Sequence, residues 1–136
     1  MHEMKRALGF RLSLSLWARL LPLLVRGRRL AELLRRAEPP PGTPYHGLTA
    51  WRIVRCVKRA CRRPWLMRDQ PCLREGLLAY RFLRRAGYRP VLHFGVDRGS
   101  IATTTMIAHC WVTLDGEMML NPPPPRYIEI HRIGGA

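Results

Sequence analysis

Leucines recur every fourth position at Leu8, Leu12, Leu16 and Leu20, with Arg6, Arg11 and Arg19 between them. That spacing predicts a helix over residues 4–36. Pro22 lacks the N–H that continues a helix, so it is expected to kink or split the stretch. Leu30, Leu33 and Leu34 then mark a second short helix, with Arg28, Arg29, Arg35 and Arg36 on its other face. Residues 38–47 hold four prolines and two glycines and read as a stiff connector. Helical spacing resumes near Leu48, where Ile53, Val54, Val57 and Ala60 form one stripe among basic residues. A further helix opens at Pro71, with Asp69 or Gln70 as its cap, and carries Leu73, Gly76, Leu77, Tyr80 and Leu83 as a buried stripe. Arg84 and Arg85 suit its last turn, and Gly87 suits its stop.

Beyond Gly87 the period shortens to that of strands. Val91–Val96 is predicted as one strand, turned over Asp97–Ser100. Residues 101–114 are rich in β-branched and aromatic side chains and predict a second strand. Asp115-Gly116 is a hairpin signal, Glu117–Leu120 the returning strand, and Tyr127–Ile133 an edge strand. The expected fold class is therefore α+β, with N-terminal helices and a cysteine-bearing helix packed on a small antiparallel sheet.

Composition narrows the function classes. The chain has 136 residues, about one domain, and 47% of them are apolar, too many for a disordered tail. Net charge is +15, and 22 of the 24 basic residues are Arg. Residues 1–99 carry 22 basic and 6 acidic side chains, against 2 and 3 in residues 100–136. Solvated helix faces, an acidic peptide partner, an anionic membrane and nucleic acid all suit such a surface. Aromatics are few and no nucleic-acid reading motif is present, so nucleic acid is not the expected partner. The longest uncharged run in the first third, Leu12–Ala18, is far short of the ~20 residues of a span. No cleavage site follows the apolar N-terminus, and the expected location is cytoplasmic. Four cysteines without a Cys-x-x-Cys pair argue against zinc.

Cys72 falls in the first turn of the best-marked helix, where exposed N–H groups and the helix dipole favour thiolate. An imidazole is needed to complete its activation. His109 lies mid-strand, and a histidine on a sheet face packed against that helix could reach the sulfur. The third member depends on the hairpin register. A three-residue loop, Leu114-Asp115-Gly116, sets His109 opposite Asn121 on one face; a two-residue loop turns Asn121 away. Asp115 is the alternative third member, but strand rise puts it roughly 20 Å from His109. The Cys72 backbone N–H, free at a helix start, is the expected oxyanion donor, with the Gln70 side chain as a second.

The stretches Pro-Cys-Leu-Arg-Glu-Gly-Leu-Leu-Ala-Tyr (71–80), Leu-His-Phe-Gly-Val (92–96) and Ala-His-Cys-Trp-Val-Thr-Leu-Asp-Gly (108–116) resemble the transglutaminase-like superfamily. Within it they resemble the lasso-peptide leader peptidases, the protease half of the lasso biosynthesis B proteins. The resemblance covers roughly residues 48–122. It implies residues 1–47 as a helical region with its Pro-rich connector, and residues 48–136 as a papain-like cysteine peptidase core. It implies Cys72 as nucleophile and His109 as base, with Asn121 standing where the family has Asp. Cys110 and Thr113 replace the usual Ala and Glu, and Glu75 stands where Arg is frequent. No cofactor is implied. The implied partners are a precursor leader peptide, a small leader-recognition protein and an ATP-dependent lasso cyclase; the basic helices also suit peripheral membrane contact. The rival class is a non-catalytic basic adaptor that binds nucleic acid or anionic membrane.

Overall fold

The computed structural model describes residues 1–25, 35, 38–62, 71–100 and 108–135, without the side chains of 22–25. Three helices, α1 (His2–Val25), α2 (Ala50–Ala60) and α3 (Pro71–Arg85), precede four strands. These are β1 (Pro90–Asp97), β2 (Ala108–Leu114), β3 (Glu117–Leu120) and β4 (Tyr127–Gly134). The sheet order is β3-β2-β1-β4 and every pairing is antiparallel. The α+β arrangement and β4 at the sheet edge are as expected. The second short helix, the cap of α3 and residues 101–107 of the second strand lie outside the described residues.

The leucine stripe faces outward: Leu8, Leu12 and Leu16 are all more than half exposed. The buried ladder is Phe10, Leu14 and Ala18, with Trp17 and Leu21 packed beside it. Phe10 lies edge-on to Tyr45 and Phe82, at ring separations of 5.4 and 5.5 Å, and Arg81 stacks 3.9 Å over the Trp17 ring. Pro22 does not split the helix, which runs on to Val25. The oxygen orphaned by Pro22 is that of Ala18, four residues earlier. Arg74 of α3, 3% exposed, fills the place of the missing N–H, donating to that oxygen from Nε at 3.1 Å and Nη2 at 2.5 Å.

The other helix ends follow their sequence signals. Thr49 caps α2, its hydroxyl accepting from the Arg52 N–H at 3.3 Å. Gly87 takes φ +94° after α3, and the Tyr88 and Gly87 N–H groups bond to the Leu83 and Arg84 carbonyls, each at 3.0 Å. This paired closure satisfies the last carbonyls of α3. The helix buries Leu77, Leu78, Tyr80, Phe82 and Leu83 among α1, α2 and the sheet. Each such side chain contributes ~1.5–3 kcal/mol. Gly76 faces Leu92 and Cys110 so closely that a Cβ there would stand 3.0 and 3.1 Å from their side chains. The absent side chain lets the first turn of α3 lie down on β2.

The hairpin register is also corrected. Leu114 pairs with Glu117 and Thr113 with Met118, so the turn is the two-residue Asp115-Gly116, with φ +52° and +79°. Val112 then pairs with Leu120, because a bulge at Met119 adds one residue to β3. The bulge buries both Met119 and Leu120.

Candidate active site

Pairing stops at Leu120, so β2 below Val112 is an open edge on that side. The N-terminus of α3 meets it. Cys72 is half-buried there, and the Cys110 thiol donates to its carbonyl oxygen at 2.9 Å. The Cys110 thiol, the Cys110 backbone N–H and the His109 imidazole all favour the charged form of the Cys72 sulfur.

Strand alternation sets the faces. Cys110 and Val112 point toward α3 with the core, so His109, Trp111 and Thr113 point to the other face. The expectation that His109 lies on the helix-packed face is thus corrected: the helix-facing side chain is Cys110. His109 lies close enough to help lower the Cys72 thiol. On the far face its ring lies 6.2 Å from Trp111 and 5.5 Å from Tyr127. Trp111 is stacked in turn on His93, 5.4 Å away and 4° from parallel. His93 bonds through Nδ1 to Glu129 and through Nε2 to the Thr113 hydroxyl at 2.7 Å. Gly95 makes room for this row, since a Cβ there would stand 2.7 Å from the Trp111 ring.

Asn121 does lie beside His109, but the contact is through its backbone. The His109 Nε2–H donates to the Asn121 carbonyl oxygen at 2.9 Å. This leaves Nδ1 as the nitrogen for the sulfur. Asn121 is in the left-handed region, φ +52°, which turns the chain out of β3 and aims that carbonyl at the ring. Its side-chain Nδ2 is buried and has no partner among the described residues. The side-chain orientation expected for Asn121 is therefore corrected. Asp115 is exposed in the hairpin turn and is not brought to His109. Gln70 lies outside the described residues. The Cys72 N–H is among the first four of α3, which have no acceptor within the helix.

The contacts polarise the two thiols in opposite directions. Cys72 is lowered from 9.0 to about 5, chiefly by the Cys110 S–H. Burial opposes this, while the Cys110 N–H and then His109 assist. Cys110 is pushed up by donating that same hydrogen bond and by burial, so it stays a thiol. Burial also raises Cys61, to about 11. Sequence reasoning missed Cys110, His93 and Arg74. The parity of Cys110 with Val112 and Leu114 was the available signal for the first; nothing local marks the other two.

A family model for the transglutaminase-like superfamily matches residues 11–131. The chain belongs to the transglutaminase-like superfamily. No curated protein and no solved structure matches it. The superfamily includes cysteine peptidases. In this transglutaminase-like chain the match begins inside α1 and ends inside β4, so it spans the helices and the sheet that meet at Cys72. A thiolate, an adjacent imidazole and a fixed acceptor behind that imidazole are the parts that acyl transfer through sulfur requires. Among the described residues no group of three His, Cys, Asp or Glu is arranged to hold a metal ion, and no helix is long and apolar enough to cross a membrane.

Proposed function

We propose that the protein is a cysteine peptidase that removes the leader from a ribosomally made precursor peptide during lasso-peptide maturation. The observation that carries the chemistry is Cys72 at the start of α3, held toward thiolate with His109 among the causes, while the His109 Nε2–H is fixed by the Asn121 carbonyl. The maturation setting rests on the sequence resemblance described above.

The Cys72 thiolate attacks the scissile carbonyl carbon, and the carbonyl oxygen takes the negative charge, facing the Cys72 N–H. Protonated His109 gives its Nδ1 proton to the departing amine, which becomes the new N-terminus of the core peptide. The leader is left as a thioester on Cys72. Neutral His109 then takes a proton from water, the hydroxide adds to the thioester, and the leader leaves with a free carboxylate. Throughout, the Asn121 carbonyl accepts from Nε2–H and keeps Nδ1 facing the sulfur. An amine in place of water would give acyl transfer by the same route. A leader-recognition protein would present the substrate, and an ATP-dependent cyclase would consume the freed core peptide.

The test is cleavage of a precursor peptide by the chain with its recognition partner, read by mass spectrometry, for wild type and Cys72→Ala. The expected result is a single cut, faster with the partner through raised effective concentration, and none with Cys72→Ala. No cut, together with tight, salt-sensitive nucleic-acid binding indifferent to Cys72→Ala, would establish the basic adaptor instead.

A further inference from the structure

Cys110 has no step in the chemistry above, yet its thiol donates to the Cys72 carbonyl oxygen at 2.9 Å, which sets the two residues side by side where α3 meets β2. The two residues differ in access: Cys72 is half-buried, whereas Cys110 is 2% exposed, beneath it. A small oxidant therefore meets Cys72 first, and the nearest second thiol waits on its inner side.

We propose that Cys72 and Cys110 form an oxidative modification site, at which a peroxide converts the pair to an internal disulfide that a small thiol reverses. The Cys72 thiolate attacks one oxygen of hydrogen peroxide, giving Cys72 sulfenic acid and hydroxide. The O–O bond breaks, and the sulfur loses two electrons to oxygen. The Cys110 sulfur then attacks the Cys72 sulfur, the S–O bond breaks, and water leaves with the Cys110 proton. The net change is two thiols and one peroxide to one disulfide and two waters. The first step also readies the second. Sulfenic acid carries no negative charge, so the anion that held the Cys110 proton in place is gone, and Cys110 becomes easier to ionise. A neighbouring resolving thiol stops oxidation at a reversible stage, whereas an isolated sulfenic acid proceeds to sulfinic acid.

The site stands on the 2.9 Å contact of the Cys110 thiol with the Cys72 carbonyl and not on peptidase activity, so its test needs no substrate. The reduced full chain is treated with several equivalents of hydrogen peroxide, more than the two that carry one thiol to sulfinic acid, then with dithiothreitol, and followed by intact mass and peptide mapping. The expected product has lost two hydrogens, maps to a Cys72–Cys110 bond, and returns to the starting mass on reduction. Cys110→Ala is expected to accumulate Cys72 sulfinic acid, with at least ~10-fold less material recovered by dithiothreitol. Cys110→Ser, which keeps a small polar group at the buried position, serves the same purpose if the alanine variant does not fold. Sulfinic acid on wild-type Cys72, a bond from Cys72 to Cys56 or Cys61, or equal recovery in wild type and the Cys110 variants would each overturn the proposal.

Discussion

The pH dependence of Cys72 reactivity tests the electrostatics of the site directly. With a pKa of about 5, Cys72 is ~99% thiolate at pH 7, against ~1% for a thiol at the ordinary 9.0. That roughly 100-fold gain in thiolate does not become a 100-fold gain in rate. Nucleophilicity falls with pKa at a Brønsted slope of about 0.4–0.5, which over four units removes roughly 40- to 100-fold. Near neutrality Cys72 therefore outruns an ordinary thiol by only about one- to threefold. At pH 5 the balance differs: half of Cys72 is ionised against ~1 part in 10,000 of an ordinary thiol, a net advantage of roughly 50- to 100-fold. The assay is the rate of labelling by a neutral disulfide reagent between pH 4 and pH 9, resolved by peptide mapping into Cys56, Cys61, Cys72 and Cys110. Thiolate is present above the lowered pKa and lost below it, so the Cys72 rate should fall as pH drops through about 5 and stay level above pH 6. Cys110→Ala and His109→Ala should each move that inflection upward, the former further, because the Cys110 thiol makes the largest lowering contribution. A wild-type inflection near 9, or labelling of Cys72 no faster than Cys56 at pH 5, would refute the reasoning.

Three other substitutions probe the supports of the site. Gly95→Ala sets a Cβ 2.7 Å from the Trp111 ring and 2.9 Å from the Ile128 carbonyl; it should destabilise by ~1–3 kcal/mol in denaturant unfolding, and no measurable loss would show that Trp111 is free to shift. Asn121→Gly keeps the carbonyl that accepts from His109 and relieves a left-handed backbone that disfavours a side chain by ~1–2 kcal/mol. Its turnover should stay within ~3-fold of wild type, while a loss as deep as that of Cys72→Ala would return the orienting role to the side chain. Leu14→Ala should cost ~2–5 kcal/mol, whereas Leu12→Gln should change stability by less than ~0.5 kcal/mol; equal losses would contradict the facing of α1.

The elements that carry strong local chemistry were legible in the sequence. Pro71 and Gly87 bound α3, Asp115-Gly116 turns the hairpin, and His109 is among the groups that lower the Cys72 thiol. The facing of α1 was not legible, because Phe10, Leu14 and Ala18 repeat every four residues just as the leucines do. Which ladder is buried is decided by Tyr45 and Phe82, more than thirty residues away. The bulge in β3 was hidden for a related reason: Met118, Met119 and Leu120 are all apolar, so no alternation betrays the extra residue. The acceptor behind His109 left no mark on residue identity, since every residue has a carbonyl; only the positive φ at Asn121 aims this one.

Protein engineers commonly replace a proline inside a helix to recover the missing bond. In α1 that repair would act on an oxygen already in use. Ala18 receives two N–H groups from one buried guanidinium, and an N–H restored at position 22 would compete with them for the two lone pairs of a single carbonyl. The defect in the first helix is thus the socket for a plug on the third, two residues beyond Cys72. Mending the defect would loosen the plug, so Pro22 is a residue for stabilising redesign to leave alone.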